Sequence, residues 1–259
     1  MSLLGIHQGL GVAAVLFIVA AAMDWLGHSR GYAPWSTASR WIIRASFVFL
    51  TANLVSLGFA GFSSTAGILT VLAWGIAGLA LFLDLTFNHR FPGWAIGALV
   101  GVGLLVASLL RPTAGNMQPW ITLHVAAVVM AYCMLIAQAL NSALYLLQDR
   151  ALSARRFGGI YSLLPALVPL DRISNQLLGA AVWMLGVALT VGTVAWLQGA
   201  DKVTLIKLIA SGVAWTASVS VLILRRQGLL SGTSFARASL IAFIPACVAF
   251  VLSLPRSAI

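Results

Sequence analysis

The stretch "PWITLHVAAVVMAYCMLI", residues 119–136, decides how the rest of the chain is read. It opens with a proline and a tryptophan, as the water-facing end of a membrane helix does. A histidine, a tyrosine and a cysteine are then embedded in an apolar run that continues to about residue 147. A helix crosses a bilayer with roughly 20 apolar residues, so this run is long enough to span. Seven further runs have the same character, at roughly 4–25, 39–60, 64–86, 93–110, 175–198, 203–225 and 236–254. The expected fold is all-α, a polytopic membrane protein of about eight transmembrane helices in a single domain, 1–259.

Composition agrees. Of 259 residues, 61% are apolar and 8% charged, and the mean hydropathy is +1.02, which no water-soluble domain of this size could bury. The acidic residues are Asp24, Asp84, Asp149, Asp171 and Asp201, with no glutamate. A net charge of +10 raises nucleic acid as a partner, but the basic residues sit in short connections between apolar runs, a pattern that membrane orientation explains and nucleic-acid binding does not. Cys133 and Cys247 both lie inside apolar runs and offer neither a disulfide framework nor a CxxC or CxxCH element. The N-terminus lacks the basic stretch of a cleavable signal, so the first run is expected to remain as a span.

Charge sets the expected topology. Arg30, Arg40, Arg44, Arg90, Arg150, Arg155, Arg156, Arg172, Arg225, Arg226 and Arg237 belong to one set of alternate connections and their flanks; Arg111, Lys202, Lys207 and Arg256 belong to the other. Eleven against four puts the first set in the cytoplasm and both termini on the outer, periplasmic side of a bacterial inner membrane. Trp25, Trp35, Trp41, Trp94, Trp120 and Trp196 fall near the expected boundaries. Segment 151–174, "ALSARRFGGIYSLLPALVPLDRIS", has Pro165 and Pro169 to break any long helix and is read either as a cytoplasmic interfacial segment or as an ordinary loop.

Polar side chains inside a bilayer need a partner or a cavity. On the helix that contains the opening stretch, Trp120, His124, Val128 and Tyr132 follow an i, i+4 spacing, and Gln138, Asn141, Ser142 and Tyr145 form a second stripe. The helix therefore faces protein along much of its length. His124 is either a hydrogen-bonded interhelical contact or an axial ligand to heme iron, which neutral imidazole in a dry pocket provides. His7, near the outer end of the first span, is either solvated or a second ligand at the same membrane level. His28 and His89 are expected at the cytoplasmic interface, where they could flank a second site. Asn53, Thr190 and Thr193 are expected to bond between helices. Hydrolytic and metal-centred catalysis have no paired carboxylates, HExxH or GxSxG to rest on, and the glycines, Gly97 and Gly101 among them, suit close helix packing.

The segment "PWITLHVAAVVMAY" closely resembles the "WLxxHVxxxxxxY" element of the cytochrome c assembly family of heme-handling membrane proteins (CcsA/ResC-like, with a shorter HemX/YpjD-like branch). Residues 63–85, "LLPALVPLDRISNQLLGAAVWMLGVALTVGTVAW" (163–196) and "DKVTLIKLIASGVAW" (201–215) are similar to further elements of that family, so the likeness is strongest over 63–254. The resemblance implies that His124 corresponds to a transmembrane heme-ligand histidine. It also implies that Trp196, Asp201 and Lys202 are what remains of a tryptophan-rich outer loop. That loop, "WLQGADK", has one tryptophan where the full motif has three, and "LILRR" (222–226) stands where the family has a second intramembrane histidine. The shorter branch is therefore the better match, and a ligation enzyme is not expected.

The expectation is a non-covalent, b-type heme protein in cytochrome c maturation or heme handling. His124 and then His7 would hold iron, Trp120, Tyr132 and Trp196 would stack on the macrocycle, and Lys202 or Arg111 would meet propionates. Partners would be heme, the lipid bilayer and other maturation proteins, and not nucleic acid. A non-catalytic membrane subunit or regulator comes second, and a small-molecule carrier third.

Overall fold

A backbone with no water around it must satisfy its own N–H and C=O groups, and long apolar runs do so as helix. A computed structural model describes residues 3–57, 64–87, 91–110, 119–155, 166–197 and 205–254, and every regular element among them is α-helical. The order is α1 (Leu3–Ser29), α2 (Ala33–Leu57), α3 (Thr65–Phe87), α4 (Gly93–Leu109), α5 (Pro119–Ser153), α6 (Leu167–Leu197), α7 (Leu205–Arg226) and α8 (Gly232–Ser253). Six of these helices, α1, α3, α5, α6, α7 and α8, are long and apolar enough to cross a membrane. The chain is all-α and has the build of a multi-pass membrane protein. Of the other two, α2 carries Arg40 and Arg44, and α4 has 17 residues, about 25 Å at 1.5 Å per residue.

Two compact units divide the chain, α1–α4 and α5–α8. In the first, consecutive helices pack together and α1 closes against α4. Small residues set that contact. A Cβ at Gly97 would lie 2.7 Å from the Phe17 carbonyl oxygen, and one at Gly101 2.7 Å from Ile18 Cγ1, so only glycine lets the two backbones approach this closely. Between α2 and α3, Trp74 Nε1 donates to Thr51 Oγ1 at 2.9 Å while its ring stacks on Phe47.

In the second unit, α5 packs along α6 and α8, and α7 against α8 and α6. The polar stripe of α5 faces inward as expected. Gln138 Nε2 donates to Ser142 Oγ, and Asn141, fully buried, donates to the Leu170 carbonyl and to Ser174 Oγ on α6. Trp215 Nε1 of α7 donates to the Val182 carbonyl of α6 at 3.1 Å. At the C-terminal end of α7, Arg225 pairs with Asp171 of α6, donates to the Leu230 carbonyl and covers the Phe235 ring.

Three local expectations change. Pro169 does not stop a helix, because it falls in the first turn of α6, where a missing N–H costs no intrahelical bond. Residues 167–174 are thus helical; of the supposed interfacial segment, 156–165 lies outside the described residues. Helix α2 begins at Ala33, six residues before the expected start at 39. Finally, Asn53, Thr190 and Thr193 each donate to a carbonyl four residues back in their own helix, to Phe49, Gly186 and Leu189.

Candidate functional site

His124 stands in the second turn of α5, part-buried against α6. Its Nδ1 lies 2.8 Å from the Ala188 carbonyl oxygen. A carbonyl can only accept, so Nδ1 carries the hydrogen, and in the neutral ring the lone pair is on Nε2. Among the described residues Nε2 makes no hydrogen bond. One turn along α6, Gly192 lies flat against the ring: a Cβ there would come within 2.7 Å of Cε1 and 2.9 Å of Nδ1. Glycine at this position is what admits the imidazole between the helices. Trp196, 42% exposed, follows Gly192 by four residues on the same helical face, at the C-terminal end of α6.

The other expected site residues distribute as follows. Tyr132 is directed to α8, where its hydroxyl donates to the Ala246 carbonyl at 2.9 Å and its ring meets Phe250 at 4.9 Å. Eight residues of helix turn about 80°, so His124 and Tyr132 have different neighbours despite their i, i+8 spacing. The structure brings together His124, Gly192 and the helical position of Trp196, and does not add Tyr132 to them. His7 belongs to α1 in the other unit and Trp120 starts α5, but both side chains lie outside the described residues, as do Arg111, Asp201, Lys202 and His89. Gly192 escaped the sequence reading; its signal is the GxxxW spacing to Trp196.

A second polar constellation lies within the first unit, where α1 and α3 end and α2 and α4 begin. Asp24, only 3% exposed, accepts from the Trp94 backbone N–H at 2.9 Å and so caps the N-terminus of α4 from a neighbouring helix. His28, a turn further along α1, holds its Nδ1 2.7 Å from the Asp24 carbonyl and 3.4 Å from the Asp24 carboxylate. Across from them Arg44 Nη2 reaches Asp84 Oδ2 at 3.6 Å and stacks over the Trp41 ring. Among the described residues Arg40 donates within its own helix, from Nε to the Ser36 carbonyl and from Nη2 to Thr37 Oγ1. Between these groups is a cavity of about 270 Å³, lined also by Ile43, Ala80 and Leu81. His28 is thus beside a polar cavity, while His89, which could flank a second site with it, lies outside the described residues. Asp24 and Asp84 went unread because isolated aspartates near helix ends carry no pattern of their own.

Among the described residues no three His, Cys, Asp or Glu side chains cluster as a metal site, and neither Cys133 nor Cys247 is in a disulfide. No family model matches the chain, nor does any solved structure. Over 73 residues the chain is 37% identical to the "Uncharacterized 28.8 kDa protein in nifR3-like 5'region" of Azospirillum brasilense, a stretch that covers 28% of this chain and 27% of that protein's length.

Proposed function

We propose that this protein is a heme-binding integral membrane protein that handles heme at the outer face of a bacterial inner membrane, in cytochrome c maturation or a related step. In this reading all eight helices cross the bilayer and both termini are outside. The arginines of α2 are accommodated at its cytoplasmic end, where Arg44 has Asp84 and Trp41 for company. The observation that carries the proposal is the fixed tautomer of His124. Its Nδ1–H is held by the Ala188 carbonyl and its Nε2 lone pair is unclaimed among the described residues, which is how proteins orient a histidine toward a metal.

The residues fit a heme: a neutral imidazole that would hold its iron, a glycine that makes room for the imidazole and an indole one turn further along α6. Bound heme would supply a polarisable macrocycle whose iron accepts the Nε2 lone pair. His124 would hold the iron, Gly192 and Ala188 would hold His124, and Trp196 would cover the outer edge. His7, Trp120, Asp201, Lys202 and Arg111 remain proposed contributors through the family resemblance alone. The purified protein is expected to carry a Soret absorption that His124→Ala abolishes. A colourless, monodisperse wild type that stays colourless with added heme would overturn the proposal and leave the second reading, a non-catalytic membrane subunit whose function is protein contact.

A further inference from the structure

The cavity of the first unit carries charges that the heme reading does not use. Its two carboxylates are already committed: Asp24 caps α4, and Asp84 is paired with Arg44. Arg40 is not. A guanidinium has five N–H donors, and Arg40 spends one from Nε and one from Nη2 on its own helix, leaving three without an acceptor among the described residues. It is exposed and lines a space of about 270 Å³ whose aliphatic lining includes Ile43, Ala80 and Leu81. A guanidinium beside an aliphatic wall fits a ligand with an oxyanion at one end and an apolar body at the other. The planar fork of arginine suits the paired oxygens of a phosphate or carboxylate.

We infer that this cavity is a binding site for the oxyanion of an amphiphile, with Arg40 as its anchor and the Ile43, Ala80 and Leu81 wall receiving the apolar part. The oxyanion belongs either to a phospholipid headgroup or to a water-soluble organic phosphate or carboxylate; the recognition chemistry is the same. Arg44 is a supporting cation, held in place by Asp84, and His28, fixed by the Asp24 carbonyl, stands at the rim. The site is independent of His124, which lies in the other unit.

Native mass spectrometry of the full-length protein, extracted gently in detergent, tests the inference. A phospholipid adduct in the wild type, reduced about tenfold or more in Arg40→Gln, assigns the site to a lipid headgroup; the loss of a charge-assisted hydrogen bond from a fork is of that size. If no adduct is present, thermal unfolding is followed as sn-glycerol 3-phosphate is added. A rise in midpoint in the wild type, absent in Arg40→Gln, assigns the site to a soluble anion. Arg40→Lys keeps the charge but not the fork, and is expected to retain part of the binding. Ala80→Phe fills the cavity without touching a charge and is expected to abolish either signal. All three variants must match the wild type in helical content and monodispersity. Neither adduct nor midpoint shift in the wild type, or a signal unchanged in both Arg40→Gln and Ala80→Phe, overturns the inference.

Discussion

Alanine at Gly192 separates the role of the His124 ring from the general cost of crowding two helices. The new Cβ would lie 2.7 Å from His124 Cε1, against an ordinary carbon–carbon contact of about 3.5–4.0 Å, so the ring must retreat by about 1 Å. A hydrogen bond of 2.8 Å to the Ala188 carbonyl does not survive that retreat. Its loss costs about 1 kcal/mol, and replacing a mid-helix glycine by alanine returns about 1 kcal/mol, so stability should hardly change. Gly97→Ala is the contrast, because its Cβ would meet the Phe17 backbone oxygen at the same 2.7 Å, and a backbone cannot swing aside. Overpacking there costs about 1–3 kcal/mol, only partly offset by helix propensity. Gly179, which has nothing within 4 Å, should gain up to about 1 kcal/mol as alanine. Thermal unfolding in one detergent should therefore rank Gly179→Ala above the wild type, Gly192→Ala level with it, and Gly97→Ala below. Gly192→Ala should nevertheless weaken heme binding, since the ring that presents Nε2 has turned. Gly97→Ala as stable as Gly179→Ala, or Gly192→Ala with unaltered heme affinity, would refute this reasoning.

Three further outcomes follow from contacts elsewhere in the two units. Asp24→Ala leaves the Trp94 N–H without its cap and should cost about 1–2 kcal/mol in thermal or denaturant unfolding, whereas Asp24→Asn, which keeps an acceptor, should cost less. Asn141→Leu removes both bonds to α6 at a fully buried position and strands Ser174 Oγ; a loss of about 0.5–2 kcal/mol is expected, the range of interhelical hydrogen bonds in membranes. For Asp171 and Arg225, each mostly buried, a double-mutant cycle to alanine should return a coupling of about 1–3 kcal/mol, and a coupling near zero would mean the ion pair contributes nothing.

The helices were legible because apolar runs in lipid have no other way to satisfy their backbone, and the inward polar stripe of α5 was legible because helical spacing is enough to align it. What the chain does not spell out is which neighbour a face meets. His124 and Tyr132 look alike on paper, yet one touches α6 and the other α8, since the residual turn over eight residues decides between adjacent grooves. The start of α2 was set at 39, six residues late, because the polar stretch before it read as connection. Pro169 read as a helix breaker because its effect depends on position within the first turn, which only the observed start of α6 supplies. The hydroxyls of Thr190 and Thr193 chose their own helix, a local option always open to threonine and silent in the sequence.

Titration of ferric heme into the heme-free wild-type protein and into His124→Ala, followed by absorption, tests the central claim most directly. Saturable binding at one site with a histidine-type Soret spectrum, weakened at least tenfold or lost in His124→Ala, is the predicted result. Equal affinity and identical spectra for the two proteins would mean that His124 Nε2 does not meet iron, and would contradict the account.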